Sequence, residues 1–416
     1  MQLEVVNTGS ELLLGQTLNT HLGYFAEQLQ PLGVPVTRAQ IVPDGPLIEA
    51  AIRAALARSE VVLVTGGLGP TSDDVTRDLV AKMLDAPLEF QPELLDKIYA
   101  YFARRKIVPS DLTRAQAFVP RGATVLPNNH GSAPGLWLQR DGRHVFCLPG
   151  PPRELRPMFE NHTLPVLKKI FAGTPPLTVQ VLRVYGIGES SVQERVEPAV
   201  RAQVADRAGL DIGYCARPGE VDVRFVAADR DLVNRAAALT RELLGDAVYA
   251  DGDGTLEQAV IGSAVARGKT IATAESCTGG LVAHLLTNVP GASAVLQRGW
   301  VAYSNQAKMD ELNVSGETLQ QHGAVSAECA REMALGALTV SGCDLAIALT
   351  GLAGPGGGTA EQPVGTLFAG LAWRGADSHP RVETQHRLLL PNRADFKHTA
   401  AQFALNWLRL KLVEKI

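Results

Sequence analysis

Short apolar runs rich in β-branched residues recur along this chain, each trailed by a stretch of helical periodicity. That alternation confines it to βαβ units on largely parallel sheets. The first unit is the clearest. QLEVVNTG (2–9) reads as a strand, NTHLGYFAEQLQPLG (19–33) as a helix, and PVTRAQIV (35–42) as a second strand. PLIEAAIRAALARS (46–59) reads as a helix that Asp44 can cap. EVVLVTGG (60–67) is the third strand, followed by a Gly/Pro turn and a helix from about Ser72. Beyond a helical YAYFARRK (99–106), GLWLQRDGRHVFCLPG (135–150) reads as a hairpin turning at Asp141-Gly142, and Pro152 stands near the first position of a helix.

The composition shifts at AGTPPL (172–177), a linker signal. Residues 178–248 then follow an α+β pattern, with strands LTVQVLRVYGI and GEVDVRFVAA and helices ESSVQERVEPAVRAQ and RDLVNRAAALTRELLG. This module holds nine Arg, no Lys and eleven acidic residues, a net charge of −2, so a surface that tracks a nucleic-acid backbone is not expected. A spacer or dimerisation role fits better. A third unit opens with TLEQAVIGSAVARG (255–268) and KTIATAES (269–276), and βα alternation continues to a C-terminal helix. The expected domains are 1–171, 172–250 and 251–416.

Charge and cysteine usage narrow the function classes. A formal net charge of −4 leaves no electrostatic footprint for nucleic acid or an anionic membrane. The five cysteines, odd in number and without a C-x-x-C pair, argue against a disulfide framework or a thiolate metal site. No apolar run approaches the roughly 20 residues of a membrane helix, and no basic targeting segment opens the chain. A cytoplasmic protein is expected.

Two segments carry chemistry. In TAESCTGGL (273–281) three nucleophile types stand in a row, Ser276, Cys277 and Thr278, at the end of a strand whose Ala272, Ala274 and Ser276 share one face. Gly279 and Gly280 open the following helix, whose first amides suit an oxyanion or a phosphate. No histidine occupies a motif-like setting. The better base is Lys308 in RGWVAYSNQAKMDEL (298–312), where Ser304 can cap a helix and a lysine near its positive end is favoured as the neutral amine. To act near neutral pH it must fall from about 10.4 to roughly 7–8, mostly through burial. Ser276 is preferred among the three, since Cys277 lacks a His partner and reads as a small buried hydrophobe. The second segment is VVLVTGGLGPTSDDVTRD (61–78), neither a dinucleotide fingerprint nor a P-loop, but a strand running into a Gly-rich turn and three carboxylates. Its amides can receive a phosphate while its acids hold a hard divalent cation, with Asp74 and Asp78 four apart on one helical face.

Four motifs, AESCTGGL (274–281), GWVAYSNQAK (299–308), HGAVS (322–326) and TGLAGPGGGTAEQPVGT (350–366), resemble the C-terminal domain of the CinA family, the competence/damage-inducible proteins. The resemblance implies an α/β amidase domain that deamidates nicotinamide mononucleotide without a cofactor. Ser276 would be the nucleophile, Lys308 the general base, and Tyr303 and Thr278 supporting hydroxyls. The mononucleotide would sit against Gly279 and Gly280, the loop of Thr350, Gly351 and Gly354, and Arg393. TGSELLLGQTLNTH (8–21), GGLGPTSDDVTRD (66–78), NNHGSAPG (128–135) and LPGPPREL (148–155) resemble the N-terminal CinA domain, related to molybdopterin-binding proteins. That likeness implies a three-layer α/β domain hydrolysing ADP-ribose with a divalent metal, helped by potassium. Asp74, Asp44, Glu11 and Asp78 would form the acidic cluster, with Asp73 and Glu154 as further carboxylates and Gly67, Gly69 and Thr71 as substrate contacts. The middle module is similar to the family's KH-like linker, although its YGIGES departs from a G-x-x-G flanked by basic residues. The expectation is a bifunctional homodimer acting on small nucleotides. The alternatives are a non-catalytic competence or DNA-repair factor, and a molybdopterin-binding protein with a fused amidase domain.

Overall fold

The computed structural model describes residues 1–204, 209–375 and 379–414. The chain divides into two compact units, Met1–Thr178 and Val179–Ile416. No helix among the described residues is long and apolar enough to cross a membrane.

The first unit is built on a six-stranded sheet in the order Val36–Val42, Leu3–Thr8, Val61–Thr65, Arg143–Leu148, Gly135–Arg140, Thr124–Leu126. The first four strands run parallel and the last two antiparallel. Side chains alternate across the sheet, so Val62 and Val64 enter one core with Ile48 and Ile52, while Val61 and Leu63 enter the other with Phe25 and Phe159. Helices therefore cover both faces, which is why the strands read as unbroken apolar runs. The hairpin turns at Asp141-Gly142 with both residues at positive φ, the geometry of a type I′ turn. Two local expectations are corrected. Asp44 does not cap the Leu47–Arg58 helix, whose N-cap is Pro46, and instead accepts from the Ser10 amide and hydroxyl. The helix expected from Ser72 begins at Thr76, because residues 70–74 close a turn with the Asp74 amide donating to the Thr71 carbonyl.

The second unit contains two sheets. The smaller follows the order Asp211–Arg217, Glu220–Ala227, Thr178–Tyr185, Val248–Asp251, with Glu189–Gln203 and Arg230–Leu244 sharing its core. Several of its arginines are engaged internally: Arg183 and Arg217 with Asp222, Arg224 with Asp211, and Arg241 with Asp251.

The larger sheet runs Leu296–Val301, Ile271–Glu275, Leu345–Gly351, Thr366–Arg374, Pro380–Leu388. The first three strands are parallel, but the last two are antiparallel, so the βα alternation expected to the C-terminus stops after Leu345–Gly351. One face carries Ile271, Leu345, Ile347 and Leu349 against the C-terminal helix Arg393–Val413. The other carries Ala272, Ala274, Ala346 and Ala348, whose small side chains admit the Ala327–Ser341 helix closely. That helix in turn bears on Asn305–Leu312: a Cβ on Gly336 would fall on the Leu312 carbonyl oxygen. Gly336→Ala should therefore lower stability by about 1–3 kcal/mol in thermal or urea melts, although alanine is the better helix former in isolation.

Candidate active sites

In the larger sheet, successive connections leave Ile271–Glu275 and Leu345–Gly351 in opposite directions, so the carboxyl ends of these strands flank a topological switch point. Ser276 stands there, its amide bonded to the Leu349 carbonyl at 2.9 Å. By strand parity it follows Ala272 and Ala274 to the face of the Asn305–Leu312 helix. Ser304 caps that helix by accepting from the Ala307 amide, which sets the following turn and brings Lys308 to the serine. The Lys308 Nζ lies 3.1 Å from Ser276 Oγ, within hydrogen-bond reach, and also donates to the Ala302 carbonyl at 2.9 Å. Only 1% of Lys308 is exposed. Burial pushes its amine below the ordinary lysine value, and among the described residues no carboxylate stands beside it to reverse that direction.

The other two candidates are differently placed. Cys277 is buried and its thiol is pushed up to about 12, so it stays protonated at neutral pH. Thr278 is fully buried, and its hydroxyl has no hydrogen-bond partner among the described residues. The helix amides expected to face a ligand are partly taken. Glu275 accepts from Val282 at 3.0 Å and from Ala283 at 2.9 Å, closing the start of Leu281–Thr287. Among the described residues, the amides of Cys277 and Thr278 donate to no backbone carbonyl.

The remaining motifs meet around this point. The Tyr303 ring is exposed, and its hydroxyl accepts from Arg393 at 3.1 Å, while Arg393 also donates to the Gly354 carbonyl at 3.0 Å. Thr350 is buried and its hydroxyl donates to the Ala324 carbonyl at 2.6 Å, tying the HGAVS loop to the strand end. Gly351 is needed for packing, because a Cβ there would crowd the Thr366 carbonyl and Phe396. One neighbour escaped sequence reasoning. A Cβ on Gly279 would lie 3.7 Å from the Lys397 ammonium, one helical turn beyond Arg393. The i, i+4 spacing of Arg393 and Lys397 was the available signal.

In the first unit, connections leave Leu3–Thr8 and Val61–Thr65 in opposite directions, and a cleft of about 340 Å³ opens at their carboxyl ends. Glu11, Asp44, Asp73, Asp74 and Glu154 line it together with Gly67 and Gly69, and no Lys, Arg or His does. Thr71 is outside the lining and donates its amide and hydroxyl to Asp74. Asp78 does not join this group: it lies on the Thr76–Met83 helix, paired with Arg77 at 2.8 Å, because Asp74 precedes the helix that was expected to align them. Among the described residues no three His, Cys, Asp or Glu side chains converge as a preformed metal cage. The donor set does fit a magnesium-type ion, which takes one or two carboxylates and completes its shell with water and phosphate oxygens.

These features define a mixed α/β chain: a doubly covered sheet with an acidic cleft, a small KH-like domain, and a C-terminal α/β domain with a buried lysine on a serine. Residues 253–412 match the CinA C-terminal domain, 4–169 a probable molybdopterin binding domain, and 179–250 the damage-inducible protein CinA KH domain. A putative competence-damage inducible protein of Caldicellulosiruptor saccharolyticus is 39% identical, over 99% of this chain and all of that one. A CinA-like protein of Akkermansia muciniphila is 42% identical, over 97% of this chain and 96% of its own. A crystal structure of a CinA superfamily protein from Klebsiella pneumoniae is 39% identical over 38% of this chain and 95% of that one, with a TM-score of 0.36. The chain belongs to the CinA family.

Glu275 gives a test of how the serine is held. Replacing it with alanine strands two helix amides beside Ser276, and should cost about 1–3 kcal/mol in denaturant melts. Glu275→Gln, which keeps one acceptor, should lose less.

Proposed function

We propose that the C-terminal site hydrolyses the carboxamide of nicotinamide mononucleotide, giving the acid and ammonia. The observation that carries this reading is the Lys308 Nζ on Ser276 Oγ at 3.1 Å, with burial lowering the affinity of that amine for a proton. The neutral amine takes the Ser276 proton as Oγ bonds to the carboxamide carbon. Lys308 then returns the proton to the leaving nitrogen, ammonia departs, and an ester to Ser276 remains. Water enters, loses a proton to Lys308 and attacks the ester. The acid is released and the proton returns to Ser276. The Cys277 and Thr278 amides are the donors available to the oxyanion. Arg393 and Lys397, two cations with no carboxylate partner among the described residues, suit the phosphate of a mononucleotide.

We also propose that the acidic cleft hydrolyses ADP-ribose with a divalent cation held by Asp74, Asp44, Glu11 or Asp73. Supporting this is a cleft that carries carboxylates and no cation, which cannot accept a diphosphate without added positive charge. When bound, the ion would offset the diphosphate charge and polarise its oxygens.

Four results are expected. Ammonia release from nicotinamide mononucleotide should survive EDTA and fall by about 10³-fold or more in Ser276→Ala and Lys308→Met, as read in a coupled ammonia assay. Ammonia release unchanged in Lys308→Met would overturn the mechanism.

The rate should rise with pH as Lys308 loses its proton, on a limb lying below the ordinary lysine value of 10.5. The same depressed affinity means the unfolded chain holds this proton more firmly. Stability should therefore also rise with pH up to about 10.5, a slope that Lys308→Met removes.

ADP-ribose with magnesium should give AMP and ribose 5-phosphate, and Asp74→Ala should abolish it in a chromatographic assay.

A further inference from the structure

The acid that the proposed deamidation makes is formed directly against Lys308. Two backbone carbonyls lie on its amine, that of Ala302 at 2.9 Å and that of Tyr303 at 3.5 Å, and the third direction leads to Ser276 Oγ at 3.1 Å. An ammonium has a proton for each of the three, whereas a neutral amine gives its two protons to the carbonyls and turns its lone pair toward the serine. The direction in which Lys308 takes up a proton is therefore the one that faces the reacting group.

What surrounds the amine is uncharged. The Cys277 thiol faces it from the strand end and the Cys329 thiol from the Ala327–Ser341 helix, and burial pushes them up to about 12 and about 11, so both stay protonated at neutral pH. The carboxylates behind them are engaged elsewhere. Glu275 is held by the Val282 and Ala283 amides, and Glu332, one turn beyond Cys329, by the Ser315 amide at 2.7 Å and the Thr318 hydroxyl at 2.6 Å. On its own helix, Asp310 and Glu311 are exposed. Tyr303 accepts from Arg393 through its hydroxyl, and Arg393 and Lys397 at the edge carry the same sign as an ammonium. Among the described residues no anion meets the amine.

We infer that the acid product is a proton-linked ligand of this site: its carboxylate takes the place of the carboxamide, and one proton from solvent converts the Lys308 amine into the ammonium that pairs with it. The product's carboxyl carbon was bonded to Ser276 Oγ in the preceding ester, so its oxygens start within hydrogen-bond reach of Nζ. The amide has no charge at this group and draws in no proton. The inference rests on the deamidase reading and adds its regulation, since the occupied site no longer contains a base and accumulating acid shuts it off. A carboxylate raises the proton affinity that burial lowers. Between those two limits the affinity for the acid falls by up to about tenfold per pH unit, so the inhibition is relieved as pH rises.

Ser276→Ala stops turnover and keeps the amine, so amide and acid can be titrated calorimetrically on the same full chain, in buffers of differing ionisation enthalpy, on the rising limb of the pH–rate profile. Nicotinic acid mononucleotide should take up about one proton more than nicotinamide mononucleotide, the phosphate they share cancelling in the comparison. Lys308→Met should remove the difference and flatten the pH dependence of acid binding. In wild type the inhibition constant of the acid should rise about tenfold per pH unit on that limb. Equal proton uptake by acid and amide, no binding of the acid to wild type or Ser276→Ala, or a difference that persists in Lys308→Met overturns the inference. The wild-type and Ser276→Ala measurements decide it even if the lysine variant fails to fold. If the acid draws in its proton but wild type releases no ammonia from the amide, the carboxylate site stands and the deamidase reading falls. If ammonia is released but the acid takes up no extra proton, this inference alone falls.

Discussion

The C-terminal site depends on a lysine amine kept out of water without a carboxylate to hold its charge. Lys308 finds a serine hydroxyl and a backbone carbonyl instead, acceptors that satisfy the amine's N–H groups while giving the ammonium far less than an ion pair would. The surrounding elements enforce this. The Ser304 cap fixes the turn on which the lysine sits, and the glycine at 336 lets a long helix lie directly against the end of that short one. An alanine face on the sheet brings the same long helix close enough to bury the amine. Packing, rather than the helix dipole of roughly 0.3–1 kcal/mol, supplies most of the bias toward the neutral form.

Both functional regions sit at switch points of parallel strands, and the residues there diverge in sign and type. One has a serine hydroxyl and a depressed amine, with two cations at the edge. The other has five carboxylates and no cation. A carboxamide needs a base and an oxyanion partner but little charge compensation, whereas a diphosphate brings negative charge that carboxylates alone repel. The two linings thus differ in charge, even though the backbone solution is the same: strand ends beside glycines, between oppositely directed connections.

Much of this was legible in the sequence because it depends on local rules. Strand parity put Ser276 on the alanine face, the Ser304 cap placed Lys308 just past the first turn, and Asp141-Gly142 specified its hairpin. The misses share a cause. Asp44 was assigned to the helix nearest in sequence, but its partner is Ser10, 34 residues away across neighbouring strands. Asp74 and Asp78 were aligned on a helix that begins only at Thr76, since the turn's own hydrogen bonds occupy the intervening residues. The antiparallel strands Thr366–Arg374 and Pro380–Leu388 differ from parallel ones in direction and ladder pattern, which apolar periodicity does not encode. Lys397 reaches Gly279 from the last helix, a juxtaposition that only the tertiary fold creates.

Glu275 shows how a charged residue can serve such a site without taking part in the chemistry. It is the residue before Ser276, almost fully buried, and pairs with two amides rather than a cation. By strand parity its side chain leaves the sheet on the face opposite Ser276, so its negative charge is spent on the start of the Leu281–Thr287 helix. Had a carboxylate stood on the serine's face, it would have raised the affinity of Lys308 for its proton and extinguished the base. The alternation of a β-strand thus separates a structural carboxylate from the serine–lysine pair one residue away.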